Sequence, residues 1–212
     1  MSSVAKKLIS IAEFLELEQK SVVRHEYYRG EIFAMAGANA SHNQISFNLS
    51  GLFYVQFRNT TCRSYVADML VKCPSDLLCY PDLVVFCHSP QFADQRQLTL
   101  LNPSLLIEIL SPTTEKYDRT IKFDHYATLE SLRDYLLIAQ DQPRIEHYHR
   151  ETLGADWAFR IYAGLEDTLQ LPDYGLRLPL RDIYERVEFP PPEPSPEMPS
   201  RNLLTPPKFP QS

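Results

Sequence analysis

Asp82, Glu108 and Lys122 are the residues whose types and spacing could do chemistry. Asp82 opens a short run, Asp82-Leu-Val-Val-Phe-Cys-His88, and Glu108 interrupts another, Leu105-Leu-Ile-Glu-Ile-Leu110. Both runs are short, branched and aliphatic, which is the pattern of a buried strand. A carboxylate in such a strand is costly unless it is neutralised, paired or bound to metal. Two of them on neighbouring strands point to a divalent cation between them. Asp82, Glu108, waters and the backbone carbonyl of Ile109 would form a hard oxygen set, which suits Mg²⁺ or Mn²⁺ better than Zn²⁺. Such an ion can acidify a water and hold a phosphoryl oxygen. Lys122 heads the helix that leaves the Glu108 strand, so its ammonium can reach back and neutralise developing negative charge.

The elements that must position these groups are legible as patterns. Ser10 to Gln19 reads as a helix, with Ser10 as cap and Glu13 at the capping-box position. Val22 to Gly37 reads as a hairpin turning at Arg29-Gly30, with Glu26 and Tyr28 on one face. Ser41 to Arg58 reads as a helix, capped by Ser41, with Ile45, Leu49, Leu52, Phe53 and Phe57 forming its apolar stripe and His42 in its first turn. Cys62 to Lys72 reads as one strand carrying Asp68, Pro74 to Tyr80 as a loop, and Ser89 to Asn102 as a polar connection. Alternation places Asp82 on the face of Val84 and Phe86, and Glu108 on the face of Leu106 and Leu110.

Ser111-Pro-Thr-Thr114 stops the second charged strand and caps a helix running to about Leu129. Along it Thr114, Asp118, Lys122 and Tyr126 recur every four residues and share a face. A helix that only packs would put aliphatics there. Asp134 to Ala139 reads as a further strand. Arg144 to His149, Ala158 to Tyr162 and Thr168 to Leu171 read as an antiparallel extension. His147 and His149 alternate onto one strand face. With no third ligand in view they read as exposed edge histidines.

Composition sets the frame. The chain has 212 residues, 44% hydrophobic and 23% charged, with a formal net charge of −6. That suits one soluble domain and argues against a surface coated with basic residues. No run is long enough to span a bilayer, and the start of the chain has no signal-peptide pattern, so the expected location is cytoplasmic. Cys62, Cys73, Cys79 and Cys87 lack zinc-ribbon spacing and read as free thiols. Nine of the last 24 residues are proline, so the expected organisation is a folded domain over residues 1–188 and a disordered proline-rich tail over 189–212.

Taken in order, several segments resemble one known family. They are Arg24-His-Glu-Tyr-Tyr-Arg-Gly-Glu-Ile32, His42 at a helix start, Tyr80-Pro-Asp82, Glu108-Ile-Leu-Ser-Pro-Thr113, Asp118 four residues before Lys122, and Asp134-Tyr-Leu. Pro81-Asp82 followed by a strand-borne Glu resembles the PD-(D/E)xK, or restriction-endonuclease-like, superfamily. The fuller set resembles the restriction-endonuclease family expanded in cyanobacteria and long filed as a domain of unknown function. The resemblance covers roughly Ser10 to Val187. It implies an α/β (α+β) fold with helices flanking a central mixed sheet: a helix, a three-stranded antiparallel meander, a second helix, and a strand parallel to the first. It puts the metal aspartate on Asp82 and the second acid on Glu108. The superfamily's usual lysine slot falls on Leu110, and Lys122 takes that role from the next helix. Glu26, His42 and Asp118 become supporting residues of the same cleft.

Two functions follow as expectations. One is a Mg²⁺- or Mn²⁺-dependent endonuclease acting on DNA, with a homodimer expected if both strands are cut. The other is a catalytically degenerate nucleic-acid-binding or scaffold protein on the same fold, motivated by Leu110 and the acidic net charge.

Overall fold

The computed structural model of the protein describes residues 8–35 and 37–191. The proline-rich tail expected from residue 189 lies, from 192 onward, outside the described residues. Among the described residues no helix is long and apolar enough to cross a membrane.

The first helix, α1 (Ile11–Glu18), begins as its sequence requires. The Ser10 side chain accepts from the Glu13 N–H, and the Glu13 carboxylate accepts from the Ser10 N–H at 2.7 Å. The hairpin follows as β1 (His25–Tyr28) and β2 (Glu31–Ala34), in antiparallel register. Gly30 sits at the turn with φ +92, and a Cβ there would fall 2.7 Å from that of Leu8, so only glycine fits. The long helix α2 (Ala40–Phe57) is capped by Asn39, whose side chain accepts from the His42 N–H, and not by Ser41. Ile45, Leu49, Phe53 and Phe57 are its buried face.

The expected single strand over Cys62–Lys72 is two strands. β3 (Arg63–Val66) and β4 (Leu70–Lys72) belong to different sheets. Ala67 between them takes φ +56, a turn conformation that no periodicity rule detects. Asp68 lies in this corner, exposed and paired with Arg24 at 2.9 Å. The expected loop after Pro74 contains a strand, β5 (Leu77–Cys79), and the polar connection contains β7 (Thr99–Leu100).

The two charged runs form β6 (Leu83–Phe86) and β8 (Leu105–Leu110), and Asp134–Ala139 forms β9. β10 (Arg144–His149) and β11 (Ala158–Ala163) extend this sheet, whose order is β11-β10-β9-β8-β6-β3. Neighbours pair antiparallel except β8 and β9, which are parallel. β9 therefore runs in the direction of the first meander strand, β3, but its parallel neighbour is the third, β8. A second sheet has the order β2-β1-β5-β4-β7, and β12 (Thr168–Leu171) pairs with β13 (Leu176–Pro179). The inner strands β6, β8 and β9 are buried on both faces, as a parallel pairing requires. Leu105, Ile107 and Ile109 pack with α2 on one side, while Leu106 and Leu110 pack with Tyr126 and Tyr135 on the other.

Cys62 and Cys87 are joined by a disulfide, which corrects the expectation of four free thiols; Cys73 and Cys79 are free and buried. The physical reason is register. Arg63 faces Phe86 across β3 and β6, so the next pair outward is Cys62 and Cys87. Spacing along the chain carries no trace of that juxtaposition.

Candidate active site

Asp82 stands at the entrance to β6, where the main-chain ladder with β8 ends. Leu83 faces Ile107, so one further step sets Asp82 opposite Glu108. In place of a ladder bond, Asp82 Oδ2 accepts from the backbone N–H of Ile109 at 2.7 Å. Asp82 Oδ1 lies 3.1 Å from His42 Nε2. The histidine in the first turn of α2 is thus a partner of the strand-entry aspartate. Ile109, expected to lend its carbonyl, also meets Asp82 through its N–H.

The helical segment that carries Lys122 is broken into pieces. α3 (Glu115–Tyr117) leads into a π-helical turn over Asp118–Lys122, and α4 (Phe123–Tyr126) closes it. Thr114 makes no side-chain cap; the backbone of Ser111 accepts from Glu115 N–H at 2.9 Å instead. A π turn keeps residues four apart nearly aligned and is common at functional positions. Here it buries Asp118 and Lys122 together.

Lys122 Nζ lies 3.0 Å from Glu26 Oε1, 3.0 Å from Glu108 Oε1 and 3.5 Å from Asp118 Oδ1. Tyr126, one step further along the same stripe, donates its hydroxyl to Glu108 Oε1 at 2.7 Å, and Cys79 donates its thiol to that hydroxyl oxygen. Leu110, in the superfamily's lysine slot, is packed in the core.

One ammonium cannot neutralise three carboxylates. Burial raises the Glu108 pKa well above its ordinary value; Lys122 opposes that shift, and Asp118 and Asp82 add to it. Asp118 is raised too, again chiefly by burial and against Lys122. Burial pulls the Lys122 pKa down, but Glu108, Glu26 and Asp118 together hold it well above the ordinary lysine value, so it stays an ammonium. The donor set is hard, oxygen-rich and excessively negative, which fits an added divalent cation.

The cleft has a volume of about 580 Å³ and is lined by Glu26, His42, Asp82, Glu108, Ile109, Asp118 and Lys122, every residue that the sequence nominated. Gln140, just beyond β9, lines it too, and its buried Oε1 has no hydrogen-bond partner among the described residues. The sequence marks Gln140 only as a polar residue ending a buried strand.

His147 and His149 correct another expectation. His147 is buried, and Asp134 supplies the third group: its Oδ1 lies 2.6 Å from His147 Nε2 and 2.8 Å from His149 Nδ1. Asp134 faces His149 across β9 and β10, a pairing that fifteen residues of separation conceal.

A solved structure of the same architecture is the "putative nuclease belonging to DUF820" from Anabaena variabilis. It superposes with a TM-score of 0.68 at 20% identity, over 83% of this chain and 97% of that one. Two uncharacterized Synechocystis proteins are similar in sequence. One, sll1609, is 38% identical over 68% of this chain and 82% of its own length. The other, slr1290, is 34% identical over 85% of this chain and 94% of its own length. Residues 11–181 match the family described as "Uma2: Putative restriction endonuclease", and the chain belongs to that family.

Proposed function

We propose that the protein is a nuclease that hydrolyses phosphodiester bonds of DNA with Mg²⁺ or Mn²⁺. The observation that carries this reading is the meeting of Asp82, Glu108 and Lys122 in one cleft. Asp82 and Glu108 are the residues that would hold the ion. Bound there, it would supply a Lewis acid for a phosphoryl oxygen and an acidified water.

The chain's own groups do the rest. The N–H of Ile109 and the ring of His42 fix the two oxygens of Asp82. Tyr126 orients Glu108. The Lys122 ammonium faces the charge that builds on phosphoryl oxygens. Asn39 and His42 in the lining place the N-terminal end of α2 at the cleft, where the helix dipole favours a phosphate. Cleavage of both strands of a duplex would take two copies of the chain.

The test is hydrolysis of plasmid, branched DNA and RNA with Mg²⁺ or Mn²⁺, by the parent and by Asp82→Ala and Lys122→Ala. Loss of cleavage in both variants is expected. Unchanged cleavage would remove these residues from the mechanism.

The second reading, a non-catalytic nucleic-acid binder, is favoured by one observation. Lys122 is already engaged by three acids, and the usual lysine slot holds buried Leu110. Titration with Mn²⁺ separates the two: a folded protein that takes up no Mn²⁺ at millimolar concentration is the non-catalytic one.

A further inference from the structure

We propose that Asp134, His147 and His149 form a second metal site, selective for a borderline transition-metal cation of the Zn²⁺ class. It is distinct from the cleft in place and in chemistry. Asp134 pairs with Leu105 at the start of β8, whereas Ile109 near the other end of β8 pairs with Ile138. Four residues of strand separate the two levels, roughly 13 Å at 3.3 Å per residue.

The three donors converge on one point. Each offers one ligand atom, and all lie within 4.8 Å of one another. Two imidazole nitrogens and one carboxylate oxygen make a mixed N/O set, which Zn²⁺ prefers and Mg²⁺ does not. Strand geometry builds the set. His147 and His149 are two apart on β10 and share a face, and Asp134 stands directly across from His149. Donors two ångströms or so from a tetrahedral ion sit about 3.4 Å apart. The two nitrogens lie 2.6 and 2.8 Å from Asp134 Oδ1, so each of these two gaps needs to open by less than about 1 Å.

The surrounding groups hold the donors in place. Tyr174 donates toward Asp134 Oδ2 at 2.9 Å, which leaves Oδ1 to face the histidines. The Tyr162 ring lies along His147 at 6.3 Å between centroids. Arg160, the cation opposite His147 on β11, turns its guanidinium over the Tyr162 ring at 5.8 Å. Asp134 and His147 are buried while His149 is half-buried, which leaves an approach for the ion from that side. A cation there would tie β9 to β10.

The experiment is titration of the chelator-stripped full chain with Co²⁺ alone, read by visible absorption, followed by Zn²⁺. One equivalent of Co²⁺ should bind with the visible bands of tetrahedral N/O ligation and be displaced by Zn²⁺. The Asp82→Asn/Glu108→Gln variant, which strips the cleft, should keep those bands. His149→Ala should weaken Co²⁺ binding at least tenfold. His149→Cys should restore binding and add thiolate-to-metal charge-transfer absorption. Absence of the bands in the parent, their loss in the cleft variant, or a His149→Cys spectrum without charge transfer would each overturn the proposal. The cleft could still be a nuclease site, because its acids play no part here.

Discussion

Lys122 and Arg150 are both buried cations, at 4% and 3% exposure, and they are held in opposite ways. Arg150 is surrounded by dipoles. It donates to the carbonyls of Leu132, Ala127 and Leu129 at 3.0, 2.8 and 2.5 Å, and its guanidinium lies 4.5 Å from the Trp157 ring centroid. Those carbonyls belong to the C-terminal end of α4 and the turn after it, so Arg150 closes the helix that carries Lys122. Lys122 is surrounded by charges, three carboxylates to one ammonium. A cation satisfied by neutral carbonyls has nothing left to do and reads as structure. A cation outnumbered by acids marks a place that a further positive charge would improve, and therefore a place for a ligand.

The sharpest way to break this comparison is to remove each cation. Lys122→Met should lower cleavage by about 10³-fold, the scale of losing one preorganised group that faces transition-state charge. It should also tilt stability with pH. Without the ammonium, Glu108 and Asp118, already raised by burial, rise further. The folded state then holds protons that the unfolded chain releases, so the variant should lose stability relative to the parent as pH climbs toward neutrality. Plasmid cleavage and thermal melts across pH read both effects. Melts that track the parent at every pH would show that Lys122 does not balance these acids.

Arg150→Met should do the reverse. Three charge-assisted hydrogen bonds vanish and buried carbonyls lose their donor, a destabilisation of about 4 kcal/mol. Urea unfolding measures it, and cleavage per folded molecule in the cold should change far less than in Lys122→Met. A stable, inactive Arg150→Met would mean that the two cations serve the same purpose.

The sequence displayed one of these cations and hid the other, and the reason is locality. Lys122 stood out because Thr114, Asp118, Lys122 and Tyr126 break the helical rule within one segment. Asp82 and Glu108 stood out because a charge inside an aliphatic run is anomalous wherever the strands go. The Arg29-Gly30 turn and the Ser10/Glu13 box are local chemistry as well. Arg150, Gln140, the Asp134–His149 pair and the Cys62–Cys87 bond are relations across strands. They depend on register, which intervening loops set and no window of sequence contains. The split at Ala67 was hidden for a different reason. Val66 and Leu70 look like one alternating strand, and a single residue at positive φ sends the chain from one sheet to the other.

A milder perturbation sharpens the electrostatic side of the comparison. Glu108 titrates above its free value of 4.5 because it is buried. Its contribution to stability is complete below that value and is lost as pH rises through the folded pKa, since the folded state binds the proton more tightly. A divalent cation favours the carboxylate, so added Mn²⁺ should raise the melting temperature more at mildly alkaline than at mildly acidic pH. Glu108→Gln should flatten the metal-free pH dependence and abolish the Mn²⁺ response. A Mn²⁺ response that survives in Glu108→Gln would move the ion elsewhere in the cleft.

The smallest effect belongs to an ion pair that resembles the others on paper. Arg24 and Asp68 meet at 2.9 Å, and the hydrogen bond to Asp68 raises the Arg24 pKa. Their side chains are 44% and 70% exposed, so water screens the attraction and both long side chains give up rotamer freedom to form it. Asp68→Asn should therefore shift stability by less than about 0.5 kcal/mol and leave cleavage unchanged. It is the control that separates burial from contact distance. Lys122 and Arg24 have acids at nearly equal range, and only the dry one is expected to control pH response, metal uptake and catalysis. A large loss of activity in Asp68→Asn would extend the site to the corner between β3 and β4.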